Sequence, residues 1–370
     1  MPLTDSPLSV LQVASARNLN FGAMKSMLNL SRGLQSLGHR VEFLTFEGRG
    51  GGTALRALGE TVHEVRVRLK IDPIAIVRMA NEIRQSKVDV VHTHLSTSSI
   101  NGTLAARLAK VPSVATVHGL SGRLSFVFAT HLIAVSEQVK EHLVKQGTSS
   151  SRISVVYNGI DFNLPDASEV QKMKKQLALS HRFPIIGTSA RLTKLKGVRD
   201  GITAFSMVKR KYNDAAYLII GSGEEESASK SFANELGIAD SVYFLGYQEN
   251  VALYLALLDL FLFPSLKEAM GMALAEASLL GVPSVTTDVG GIPEVILREW
   301  GTLVPPGHPE ILAERLIMLA EDPEARRKIG ELARRRSQEL FTVEEMTNRT
   351  LAVYKLAMSY PPNESQAIVK

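Results

Sequence analysis

Glu268 and Glu276 stand on either side of one turn, the first closing a loop after an apolar run and the second inside the helical stretch that follows. Carboxylates so spaced can accept charge-assisted hydrogen bonds from two hydroxyls of one ligand, such as a sugar or a ribose. The helix between them starts near Gly271, so the backbone N–H groups around Met270, Gly271 and Met272 form a positive helix end beside them. Upstream, Arg191 and Lys196 lie in Ser189-Ala190-Arg191-Leu192-Thr193-Lys194-Leu195-Lys196-Gly197, after a strand and before another helix. Two cations beside a helix N-terminus suit a diphosphate. The blander alternatives are a helix-end charge, a solvated helix glutamate and a solvated basic loop.

Glycine turns at Gly221-Ser222-Gly223, Gly246 and Gly290-Gly291 each follow an expected strand. None completes a dinucleotide fingerprint or a phosphate-binding P-loop, which argues against a nicotinamide dehydrogenase or a P-loop enzyme. His92 and His94 alternate along a strand end, but no third ligand stands near them, so no metal site is expected. His39, just before a strand, reads as structural.

These groups need a scaffold, and composition says which kinds are excluded. The chain has 370 residues, 45% hydrophobic and 21% charged, as in an ordinary folded protein of about two domains. No window reaches the ~18–20 apolar residues of a membrane span. The opening MPLTDSPLSVLQVA lacks the basic and apolar regions of a secretory signal, and a cytoplasmic protein is expected. With no cysteine, disulfides, thiolate metal sites and cysteine nucleophiles are excluded. The net charge of +5 is uneven, about +8 over residues 1–160 and about −3 beyond. An anionic partner is therefore expected at the first half. Nucleic acid is not expected, because no recognition motif or stacking cluster accompanies the charge and aromatics are only 6%.

Short β-branched runs alternate with helical stretches throughout, the pattern of parallel sheets with crossover helices. The fold class expected is α/β, with two doubly wound Rossmann-like domains. Strands are predicted at 9–13, 41–45, 88–92, 113–117, 132–135 and 154–156, then at 184–189, 216–220, 242–245, 260–263, 283–286 and 302–304. The polar segment 157–180 reads as a linker. Domains are expected at 1–163 and 164–341, with a helix at 342–359 packing back on the first and a loose tail at 360–370. Ligands of doubly wound domains bind at strand C-termini, here around a cleft between the two.

The ordered set Arg191…Lys196-Gly197, Gly221-Ser222-Gly223, Phe244-Leu245-Gly246, Glu268-x7-Glu276 and Gly290-Gly291-Ile292-Pro293-Glu294 resembles the retaining GT-B glycosyltransferases of family 4. In the first half, Gly38-His39-Arg40-Val41, Asp89-Val90-Val91-His92, Thr116-Val117-His118-Gly119, Val135-Ser136-Glu137 and Asn158-Gly159-Ile160-Asp161 are similar to that family as well. The resemblance spans about residues 8–356. It implies a hexosyltransferase whose donor is a nucleoside-diphosphate sugar, UDP- or GDP-linked, with no cofactor and no metal required. Arg191 and Lys196 would neutralise the diphosphate, Glu276 would hold the ribose, and Glu268 would bind the transferred sugar with help from Met270, Gly271 and Met272. Gly223 and the loop Asn20-Phe21-Gly22-Ala23 would line the donor phosphates. His118 would lie across the cleft, near the sugar and the acceptor, with Asn20 and Gly119 on the acceptor side. The acceptor would be a glycan or lipid-linked glycan of the cell envelope.

Three positions depart from the family's pattern: Ala23 and Ala190 replace glycines, and Ala269-Met270-Gly271 replaces Gly-Phe-Gly. These bear on the identity of the donor sugar. A nucleotide-sugar epimerase of the same architecture and a catalytically silent nucleotide-sugar binder are the competing readings. In the first domain Arg66, Arg68, Lys70, Arg78, Arg84 and Lys87 surround the apolar stretch 71–79. Such a segment suits a peripheral contact with an anionic membrane at its inner face, while an ordinary crossover helix would bury its apolar face on the sheet.

Overall fold

The computed structural model describes residues 6–15, 19, 21–161 and 163–360. The chain divides into two units: one runs to Gly159 and resumes at Thr342, and the other is Ile160–Phe341. The boundary is sharp and falls slightly before the expected 163/164. Ile160 N–H donates to Phe341 O at 2.8 Å, whereas Gly159 N–H meets Met346 Sδ at 3.0 Å.

The first unit is a seven-stranded parallel sheet of β1 (Ser9–Ala14), β2 (Arg40–Phe46), β3 (Val62–Val65), β4 (Val90–His94), β5 (Ser113–Val117), β6 (His131–Ala134) and β7 (Ile153–Val155). Its strand order is β3-β2-β1-β4-β5-β6-β7. Helices cover both faces, which is why β1, β4 and β5 are buried along their whole length, the polar Gln12, His92 and His94 included. One core packs Val10, Met24, Met27, Phe43 and Ile133, and the other packs Leu11, Leu44, Met79, Ile83 and Val91. β3 was not predicted, and β4 runs two residues later than expected, so His92 and His94 both lie within it.

The last helix, Val343–Ser359, is capped by Thr342 and sends Met346, Val353, Tyr354 and Ala357 into the first of these cores. It runs close to the helix Gly22–Ser36 at Gly33, where an added Cβ would lie 2.1 Å from Thr347 Oγ1.

The second unit is a six-stranded parallel sheet of β8 (Ile185–Ser189), β9 (Ala216–Ile220), β10 (Val242–Gly246), β11 (Leu260–Phe263), β12 (Ser284–Thr287) and β13 (Leu303–Val304), ordered β10-β9-β8-β11-β12-β13. The expected linker 157–180 instead holds a helix, Ala167–Gln176, started by an Asp166/Glu169 capping box.

Both sheets reverse direction of growth between two neighbours, β1 and β4 in one and β8 and β11 in the other. The same device pins each junction. Asp89 Oδ2 accepts from Ser9 N–H at 2.7 Å, and Asp259 Oδ2 accepts from Ile185 N–H at 2.7 Å. Loops leaving the C-terminal ends of these strands diverge, opening the crevice where doubly wound sheets take ligands.

Candidate active site

In the second unit, the reversal brings together the loops after β8 and β11. Leu195 O accepts from Leu266 N–H at 2.8 Å and from Lys267 N–H at 3.3 Å, tying the two loops by their backbones. Lys196 is thereby placed to donate from Nζ to Glu268 Oε2 in a direct ion pair, and its ammonium also lies 5.7 Å from the centre of the Phe263 ring. The other oxygen, Glu268 Oε1, accepts from Ala269 N–H at 3.1 Å. Both side chains are mostly buried, 24% and 13% exposed. Arg191 is exposed on the same loop as Lys196.

Glycines set this arrangement. Gly197 has φ +62° and a Cβ there would fall 1.9 Å from Pro264 O, so only glycine lets the β8 loop lie against the β11 loop. On the other side Gly290 has φ +56°, with Glu268 O only 1.7 Å from where a Cβ would be. In a Gly290→Ala variant the 268–270 loop must shift, at a cost of about 1–3 kcal/mol. Thermal unfolding a few degrees lower is the expected result; an unmoved transition would show that the loop yields without cost. Gly223 is packed against Leu192, whose O would be 2.2 Å from a Cβ, so packing alone accounts for glycine there.

The helix after this loop, Met272–Leu279, begins at Gly271 with no side-chain cap. Its first-turn N–H groups lie beside the Lys196–Glu268 pair and add positive potential there. Met270 is buried, and Glu276 is half-buried one turn into the helix. The ion pair thus lies against the uncapped helix end, where Glu268 Cγ is 3.7 Å from the place of a Cβ on Gly271.

In the first unit, the loop after β1 leads to the helix Gly22–Ser36, which starts at Phe21 without a side-chain cap. Gly22 and Ala23 form its first turn, while Asn20 lies outside the described residues. His118 follows β5 beside Gly119, which has open space around its Cα. The sequence did not show what surrounds His118. Its Nε2 lies 2.9 Å from His94 Nδ1, its Nδ1 is enclosed and has no hydrogen-bond partner among the described residues, and burial pushes its pKa down to about 4. His92 is pushed down to about 3 by burial and by His118, and His94 is held well below the ordinary value by burial, then by His92 and His118. The ring nitrogens of His92 and His94 are all engaged by neighbouring side chains. His39 is structural, its Nδ1 accepting from Leu8 N–H at 2.9 Å.

Known proteins are similar to this chain in sequence and in fold. The family described as glycosyl transferases group 1 matches residues 169–336, and Glycosyltransferase Family 4 matches residues 22–164. N-acetyl-alpha-D-glucosaminyl L-malate synthase of Bacillus anthracis is 30% identical over 354 residues, covering 88% of this chain and 91% of that protein. The UDP-Gal:alpha-D-GlcNAc-diphosphoundecaprenol alpha-1,3-galactosyltransferase of Escherichia coli is 28% identical over 243 residues, 60% of this chain and 63% of that protein. The crystal structure of Anabaena Alr3699/HepE in complex with UDP and glucose has a TM-score of 0.84 at 21% identity, covering 94% of this chain and all of that one. Two Rossmann-like units of matching strand order, each matched by its own half of the family, make this chain a glycosyltransferase of group 1, family 4, with the GT-B fold.

Proposed function

We propose that this enzyme transfers a hexose from a nucleoside-diphosphate sugar, UDP- or GDP-linked, to a hydroxyl of an envelope glycan or lipid-linked glycan, with retention at the anomeric carbon. The observation that carries the donor assignment is the Lys196–Glu268 ion pair at the strand reversal of the second sheet, beside an uncapped helix N-terminus. Lysine has three N–H donors, so Lys196 can keep Glu268 and still donate to a phosphate oxygen. Arg191, Lys196 and the helix end then stabilise the negative charge that grows on the departing diphosphate. Glu276 accepts from the ribose hydroxyls and Glu268 from the transferred sugar. As the bond from the anomeric carbon to the phosphate oxygen breaks, the acceptor oxygen bonds that carbon on the same face. The leaving oxygen takes the acceptor's proton, so no resident cofactor or metal is assigned a step. The acceptor is assigned to the first unit, where His118 and Gly119 follow β5 and Gly22 and Ala23 open the helix after β1. The alpha-1,3 product that the E. coli relative's name gives for a UDP-Gal donor supports retention, since UDP-galactose is alpha-linked.

The test is calorimetric titration, without metal, against UDP, GDP and ADP and then their sugar derivatives. Selective micromolar-range binding of one nucleotide, weakened at least tenfold in Glu276→Ala, is expected. No binding to any of them would overturn the donor site.

The membrane reading gains support from exposure. The helix Pro73–Ser86 buries Ala75, Met79 and Ile83 but turns Ile74 and Val77 outward, 66% and 51% exposed, next to exposed Leu69 and Ile71. Arg66, Arg68, Lys70, Arg78, Arg84 and Lys87 are all exposed around them. No helix of the described residues is long and apolar enough to cross a membrane. A cytoplasmic enzyme resting on an anionic inner face fits this patch. Sedimentation with anionic but not neutral vesicles at low salt is expected, and its loss in Ile74→Glu/Val77→Glu. Equal recovery with both vesicle types would remove the assignment.

A further inference from the structure

His118 belongs to a hydrogen-bonded chain that the reaction described above does not use. His118 Nε2 is 2.9 Å from His94 Nδ1, and His94 Nε2 is 2.7 Å from Gln12 Oε1. The His94 and His118 rings lie 5.2 Å apart at 28°, the spacing of two imidazoles joined edge to edge through facing nitrogens. Behind Gln12, the Tyr354 hydroxyl is 2.7 Å from His92 Nδ1, and Gln12 Nε2 is buried without a hydrogen-bond partner among the described residues. Gln12, His94 and Tyr354 are closed to solvent, so no water competes for these bonds.

The bonding rules give this chain a direction. A neutral imidazole has one donor nitrogen and one acceptor nitrogen, and the oxygen of an amide only accepts. With the Gln12 amide turned so that Oε1 meets His94, His94 Nε2 carries the proton and His94 Nδ1 is the acceptor. His118 must then carry its proton on Nε2. Its lone pair stands on Nδ1, the buried atom that no group among the described residues satisfies. Burial keeps the rings neutral, and a second proton, which would erase the direction, is disfavoured. An enclosed acceptor without a partner is costly, and a ligand hydroxyl is a donor that removes the cost.

We infer that Gln12 and His94 are positioning residues that hold His118 in the Nε2–H tautomer, with Nδ1 kept as a hydrogen-bond acceptor. The use of that acceptor on a substrate hydroxyl rests on the function proposed above; the tautomer does not.

The experiment is nitrogen-15 NMR of the full chain labelled at histidine, without substrate, alongside steady-state kinetics. His94→Asn keeps an oxygen where Nδ1 stood, His94→Leu removes the acceptor, and Gln12→Met removes the amide. His131, held on β6 by Ser154 Oγ at 3.0 Å, reports that each variant is folded. Wild type and His94→Asn are expected to show His118 protonated on Nε2 alone. His94→Leu and Gln12→Met are expected to show a mixture of tautomers and about a tenfold lower kcat with donor KM unchanged. A proton on His118 Nδ1 in the wild type overturns the inference, and so does an unaltered tautomer in both His94→Leu and Gln12→Met. A shifted tautomer with unchanged kcat upholds the positioning role and overturns the assignment of His118 to the substrate.

Discussion

Lys196→Ala is expected to lower kcat/KM for the nucleotide-sugar donor about a hundred- to a thousandfold, the loss typical when one preorganised donor to a developing negative charge is removed. Two effects combine in that figure. The ammonium proposed to face the leaving diphosphate is gone, and the Glu268 carboxylate, only 13% exposed, loses its cation. A double-mutant cycle with Glu268→Gln separates them, because the glutamine removes the stranded charge and leaves the diphosphate effect in place. Lys196→Arg should recover only part of the rate, since a planar guanidinium does not reproduce a compact ammonium between two loops. The measurement is the initial rate of nucleoside-diphosphate release. A full rate in Lys196→Ala would place the diphosphate elsewhere.

Acid should unfold the first unit before the second. Four of its histidines are held neutral: His92 at about 3, His118 and His131 at about 4, and His94 well below its usual value, chiefly by burial in each case. The unfolded chain takes up protons at these groups as pH falls through about 6.5, while the folded unit does not. Their contribution is fully present above that pH, declines as pH falls toward about 4, and levels off below the folded values. Each histidine can cost at most about 2 kcal/mol between pH 7 and 5, and four together are large beside ordinary stabilities. Thermal melts at pH 7.5 and 5.0 should show a transition that moves down and splits. Replacing His131, the one farthest from the His118 cluster along the sheet, with Asn should reduce the shift. An unmoved transition at pH 5.0 would mean that these rings are already charged when folded.

The legible part of the fold was the part that burial writes into sequence. Strands covered on both faces, such as Val114 and Ala115 or Leu260–Phe263, are apolar throughout and were read closely. β3 was missed because Val62, His63 and Glu64 on the sheet's edge are half-exposed and carry no apolar run. The helix Ala167–Gln176 fully buries no residue and shows only a short stripe of half-buried Val170, Met173 and Leu177; its capping box was the clearer signal. In the site, Lys196 and Glu268 were each singled out, but not as a pair. They are 72 residues apart and meet only because β8 and β11 are neighbours. Gln12, His94 and His118 come from β1, β4 and the end of β5, again joined by strand order. Tyr354, 262 residues from His92, depends on where the last helix returns.

That return has a consequence for how the protein is made. The second unit is one uninterrupted stretch of chain and can fold as soon as it leaves the ribosome. The first unit is emitted earlier yet must wait, because Met346, Val353, Tyr354 and Ala357 complete its core from the far end of the message. Until translation passes those codons, apolar surface around Val10, Met24 and Ile133 stays uncovered and open to chaperones. A nascent chain stalled before them would carry a finished second unit and an unfinished first one, an abortive product already marked for degradation by what it exposes.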